Sequence, residues 1–92
     1  MSEPPRRWKV QVRHEAEKVL RRLPRDLADR IVWAMLGLET NPHPPGCKRL
    51  KSHDELYRLR VGAWRITYAV QDDKLIVLVT EIAPRSGAYR NL

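Results

Sequence analysis

The stretch LYRLRVGAWRITY, residues 56–68, decides how this chain folds. Apolar and basic side chains alternate on both sides of Gly62-Ala63, which is typical of two antiparallel strands joined by a two-residue turn. Because side chains alternate along a strand, one face of this hairpin is predicted to be apolar. That face carries Tyr57, Leu59, Val61, Trp64, Ile66 and Tyr68. The other face carries Arg58, Arg60, Arg65 and Thr67.

The segments before the hairpin predict one strand and two helices. Residues 8–13 alternate like a short strand, and apolar residues recur at helical spacing over 14–23 and again over 25–39. Pro24 separates the helices, and three prolines within 42–45 end the second one.

The apolar stripe of the second predicted helix is wider than one contact requires. Val32, Trp33 and Leu36 widen it. We expect most of these side chains in the core; the alternative is that some of them await a partner.

After the hairpin, a polar turn is predicted over 71–73, followed by the strand KLIVLVTEIA, residues 74–83. That strand is apolar on both faces, as expected for a central strand. The fold class is therefore α+β: a small antiparallel-rich sheet, made of the N-terminal strand plus a three-stranded meander, with a two-helix hairpin packed on one face.

The length and composition indicate the number of domains and the cell compartment of the protein. A chain of 92 residues has room for one domain, predicted over 8–92 after a flexible tail over 1–7. The tail does not resemble a signal peptide, and the longest apolar run is too short to span a bilayer. The single Cys47 fits a reducing compartment. We expect a soluble cytoplasmic protein that does not associate with membranes.

The charge balance favours a polyanionic partner. Eighteen Lys and Arg residues face eleven Asp and Glu residues, for a net charge of +7. Six of the basic residues cluster between 48 and 65: Lys48, Arg49, Lys51, Arg58, Arg60 and Arg65. The alternative is a solvated face whose arginines pair with Asp54, Glu55 or Glu81. Nucleic acid is favoured, because like charges opposite each other in a sheet are destabilising unless they serve a ligand.

The remaining motifs give little sign of a metal or cofactor. HEAEK, residues 14–18, begins like a zinc-protease motif but has Lys18 where the second ligand belongs. His43 is expected in an exposed loop, and Cys47 is expected to be an inert thiol. We therefore predict no cofactor and no metal.

The ordered set of segments resembles the RelE/ParE toxin superfamily. The resemblance covers Trp8 to Tyr89 and rests on the helix start A-x-K-x-L-x-x-L-P (16–24), KRL (48–50), YRLRVGAWRITY (57–68), LIVLVTEIAPR (75–85) and the final Tyr89. It implies a toxin that cleaves messenger RNA in the ribosomal A site and is neutralised by a cognate RelB-like antitoxin. It also assigns catalytic roles to Arg58, Arg60, Arg65, Arg85 and Tyr89. RNA-binding roles fall on Arg58, Arg60, Lys48 and Lys51.

The resemblance leaves the proton-transfer groups and the target open. Arginine is effectively never deprotonated, so Arg58 and Arg60 cannot serve as a base where some relatives carry lysine. Tyr89, His53 or a ribosomal group are the candidates. The runner-up functions are a ParE-type toxin that inhibits DNA gyrase and a non-catalytic basic RNA- or ribosome-binding module.

Overall fold

A computed structural model describes residues 7–50 and 55–84. Two helices and five strands follow one another along the chain. They are β1 (Lys9–Val12), α1 (His14–Arg22), α2 (Arg25–Gly37), β2 (Lys48–Arg49), β3 (Leu56–Val61), β4 (Trp64–Gln71) and β5 (Ile76–Pro84). The predicted tail, apart from Arg7, lies outside the described residues.

The strands form one mixed sheet in the order β1-β5-β4-β3-β2. The α+β class and the antiparallel meander of β3, β4 and β5 are confirmed. The N-terminal strand β1 runs parallel to its neighbour β5. Parallel neighbours need a long connection, and here the two helices and the strands β2 to β4 lie between them in sequence. The predicted sheet had four strands and did not include β2, because a strand of two residues shows no alternation in sequence.

The register of the β3–β4 hairpin is as predicted. Val61 lies opposite Trp64, and Tyr57 lies opposite Tyr68. Gly62 occupies the turn at φ +60°, a conformation that suits glycine. The next turn lies later than predicted, over 72–75, so β5 begins at Ile76.

The core lies between the two helices and the apolar face of the sheet. Ile66, Tyr68, Val77 and Val79 from the sheet are fully buried, as is Ile31 from α2. Trp64 packs against this core from its edge, as predicted. No helix of the described part of the chain is long and apolar enough to cross a membrane.

The prediction for the outer stripe of α2 was wrong for two residues. Val32 packs against the core, but Trp33 is 73% exposed and Leu36 is 45% exposed. A helix packed on one layer can bury only one of its faces, and these two side chains project from the opposite face. The structure thus leaves a small apolar surface on α2.

Candidate nucleic-acid interface

A concave pocket of about 610 Å³ opens on the sheet face opposite the helices. The strands β2, β3 and β4 form its floor, and the loop before β2 forms one wall. Its lining residues are Pro45, Gly46, Lys48, Arg58, Leu59, Arg60 and Arg65. Four of these seven residues are cationic, and none is acidic.

The sheet register brings the four cations together. Lys48 lies opposite Arg58 across β2 and β3, and Arg60 lies opposite Arg65 across β3 and β4. Lys48, Arg58 and Arg60 are exposed, whereas Arg65 is half-buried. Lys48 was predicted as a basic site residue. Its pairing with Arg58 was not predicted, because the predicted fold did not include β2.

The cations of the pocket are not neutralised by nearby carboxylates within residues 7–50 and 55–84. The ion pairs in that part of the chain join Arg7 to Glu39 and Arg21 to Glu17, away from the pocket. Glu55 and Glu81 therefore do not pair with these arginines; Asp54, the third candidate, lies outside the described residues. The pocket consequently offers a concentrated positive charge to an anionic ligand.

Aromatic residues hold the pocket wall in place from the core side. The hydroxyl of Tyr68 donates a hydrogen bond of 2.8 Å to the carbonyl oxygen of Pro42, where the wall loop begins. Burial, together with the neighbouring Cys47, raises the pKa of the Tyr68 phenol well above its ordinary value, so the phenol stays protonated as a donor. His43 contacts Tyr57 edge-to-face at 4.6 Å between ring centroids, and Tyr57 stacks on Tyr68 at 5.9 Å.

These loop contacts refine two predictions. His43 is exposed, as predicted, but its ring also packs on Tyr57. Cys47 lies beside the Tyr68 phenol and is half-buried. Neither contact was predicted, since both join the proline-rich loop to strands that follow it in sequence.

A β-bulge in β5 sets which of its residues share the cationic face. Thr67 pairs with Glu81 while the adjacent Tyr68 pairs with Val79, so Thr80 is the extra residue. Ile82 can therefore enter the core opposite Ile66, and Glu81 and Ala83 lie on the cationic face. One row across four strands then reads Lys48, Arg58, Thr67 and Glu81.

The structure brings four of the predicted site residues together: Lys48, Arg58, Arg60 and Arg65. The predicted RNA-binding Lys51, the candidate base His53, and the predicted catalytic residues Arg85 and Tyr89 lie outside the described residues.

Comparisons with known proteins agree with the sequence resemblance. Residues 7–89 match the family model described as the ParE toxin of the type II toxin–antitoxin system parDE. The chain is 35% identical over 88 residues to a candidate RelE toxin, RelE1, of Methanocaldococcus jannaschii, covering 92% of this chain and 98% of that protein. It is 33% identical to toxin RelE of Mycobacterium tuberculosis, covering 90% and 87%.

The fold also matches a solved structure. The archaeal RelE–RelB complex of Pyrococcus horikoshii contains a chain that superposes with a TM-score of 0.78 at 25% identity, covering 86% of this chain and 96% of that one. The family match and the two relatives span nearly the whole chain. This protein therefore belongs to the RelE/ParE superfamily and is a RelE-like toxin of a type II toxin–antitoxin system.

Proposed function

We propose that this toxin is a ribosome-dependent endoribonuclease that cleaves messenger RNA in the ribosomal A site and so inhibits translation. The observation that carries the proposal is the pocket of four cations on three strands. The pocket volume of about 610 Å³ is large enough for a nucleotide with its phosphate, and none of the described residues that line it carries a carboxylate. Such a reaction takes place on cytoplasmic ribosomes, so the proposal includes a cytoplasmic location.

The proposed reaction is metal-independent transfer within the RNA backbone. The ribose 2′-oxygen bonds to the adjacent phosphorus and loses its proton, while the bond from phosphorus to the 5′-oxygen breaks and that oxygen gains a proton. Arg58, Arg60 and Arg65 offer forked donors that match phosphate oxygens. They hold the phosphate and stabilise the charge that develops on it, which is the largest contribution in many such reactions.

Arg85 and Tyr89 complete this proposal from the C-terminal side. Arg85 follows β5 directly and would add a second phosphate contact. Tyr89 would stack on a base, a common way of holding single-stranded RNA. Lys51 would extend the basic surface towards the flanking message.

We also propose a RelB-like antitoxin as the partner that neutralises this toxin. The similar structure from Pyrococcus horikoshii is a RelE–RelB complex. Trp33 and Leu36, one helical turn apart on α2, give an apolar surface to which such a partner could anchor. This surface lies on the helical layer, away from the cationic face.

The proposed function is tested by mapping message ends on translating ribosomes with and without the protein. Cuts within A-site codons are expected. Double-strand breaks in DNA that depend on gyrase would instead support the ParE-type alternative; the matching family model is described as a ParE toxin. Ribosome binding without either kind of break would support a non-catalytic module.

A further inference from the structure

The three pocket arginines are proposed to hold a phosphate, and this role leaves the proton transfers of the reaction unassigned. Guanidinium groups are effectively never deprotonated, so the three arginines neither accept nor give up a proton. An RNA cleavage of the proposed kind needs one group to take a proton from the 2′-hydroxyl and another to give one to the 5′-oxygen. The inference below rests on the proposed function.

The row of Lys48, Arg58, Thr67 and Glu81 has the required chemistry at its two ends. Lys48 can give up a proton, and the carboxylate of Glu81 can accept one. Three strand spacings of roughly 4.8 Å place the two Cα atoms about 14 Å apart. A phosphate bound over Arg58 would lie between these two residues.

The two middle residues of this row fit that arrangement. Arg58 lies next to Lys48, where it can grip the phosphate. Thr67 lies next to Glu81 and is short and buried, with an exposed fraction of 8%. No charged side chain of this row therefore stands between Arg58 and Glu81. The attacking and leaving oxygens must be on opposite sides of the phosphorus, and the ends of the row are on opposite sides of the arginine.

We propose that Glu81 is the general base and Lys48 the general acid of this toxin. The Glu81 carboxylate takes the proton of the 2′-hydroxyl as the 2′-oxygen bonds to phosphorus. The Lys48 ammonium gives its proton to the 5′-oxygen as the bond between that oxygen and phosphorus breaks. The proton gained by Glu81 and the proton lost by Lys48 are exchanged with water, which restores both groups.

The β-bulge at Thr80 supports a role for Glu81 on this face. It changes the alternation of β5 so that Glu81 points to the side of the arginines while Ile82 remains in the core. Within the described residues Glu81 forms no ion pair with Arg58 or Arg65, although the register puts it within two strands of both. A residue that served as counter-charge would be expected to make such a pair.

The two possible roles of Glu81, counter-charge and general base, predict different cleavage rates when its charge is removed. If Glu81 merely offsets positive charge, Glu81→Gln leaves a more positive face that binds RNA more tightly and cleaves at least as fast. If Glu81 is the base, the same variant binds RNA as tightly or more tightly but cleaves about 10²-fold or more slowly. Glu15→Gln, an exposed position on α1, is the matched control and should cleave like the wild type.

The acid is tested with a chemically altered message. Lys48→Arg keeps the positive charge but cannot give up a proton, so it should bind RNA normally and cleave about 10²-fold or more slowly. A message with sulfur in place of the scissile 5′-oxygen does not need an acid, because a thiolate is a far better leaving group than an alkoxide. That message should restore cleavage by Lys48→Arg and should not restore cleavage by Glu81→Gln.

The experiment is single-turnover cleavage on ribosomes programmed with either message, measured alongside RNA affinity. No cleavage by the wild type would overturn the proposed function and this inference together. Wild-type cleavage with an unchanged rate in Glu81→Gln would overturn the base assignment alone. Failure of the sulfur message to restore Lys48→Arg would overturn the acid assignment alone.

Discussion

The two faces of the β3–β4 hairpin differ completely although they come from alternate residues of the same strands. On one face Ile66 and Tyr68 are fully buried under the helices. On the other face Arg58 and Arg60 are exposed and line a pocket. The comparison teaches that stability and function are separated here by side-chain direction, so that neighbouring residues in sequence should respond differently to substitution.

The largest loss of stability is expected on the apolar face. Ile66→Ala should lower the free energy of unfolding by about 2–5 kcal/mol, because it leaves a cavity beneath the helices. Chemical denaturation measures this directly. A loss below about 1 kcal/mol would mean that the site relaxes more than close packing allows.

A second effect is expected on α2, away from both faces of the hairpin. Trp33→Ala should weaken binding to the antitoxin by about 2 kcal/mol or more if this side chain is an anchor. Titration calorimetry with the purified antitoxin tests it, with Asp73→Ala, at an exposed position of the turn between β4 and β5, as the control. Equal affinity in the two variants would place the antitoxin elsewhere on the toxin.

A smaller effect is expected at Tyr68, which lies on the apolar face and bonds to the loop that forms the pocket wall. Tyr68→Phe removes the hydrogen bond to the Pro42 carbonyl oxygen and should cost about 0.5–1.5 kcal/mol of stability. The loop wall of the pocket should also exchange its amide protons faster. Unchanged exchange at His43, Gly46 and Cys47, the residues of this loop that have an amide proton, would show that aromatic packing alone holds the wall.

The smallest effect concerns the salt dependence of RNA binding. Replacing Arg58 and Arg60 by Gln should reduce the slope of log affinity against log salt by about 1.4, at roughly 0.7 for each phosphate contact with single-stranded RNA. Replacing Arg21 and Arg22 on α1 should change the slope far less. Equal changes from the two pairs would indicate diffuse attraction rather than a binding face.

The hairpin was predictable to the exact pairing because each of its residues obeys a two-residue alternation around a glycine turn. Features that depend on distant parts of the chain were not predictable in this way. Nothing local marks Lys48–Arg49 as a strand, and the bulge at Thr80 that turns Glu81 towards the arginines is a property of the pairing with β4. The exposure of Trp33 likewise depends on how many layers cover α2, which helical periodicity does not specify.

The central claim is tested most directly by measuring ribosomal cleavage and unfolding free energy for Arg65→Ala and its neighbour variant Ile66→Ala. Arg65→Ala should cleave about 10²–10³-fold more slowly, as for loss of one transition-state donor, while its unfolding free energy stays within about 0.5 kcal/mol of the wild type. Ile66→Ala should show the reverse when assayed under conditions where it is folded. A folded Arg65→Ala protein that cleaves at the wild-type rate would contradict the account.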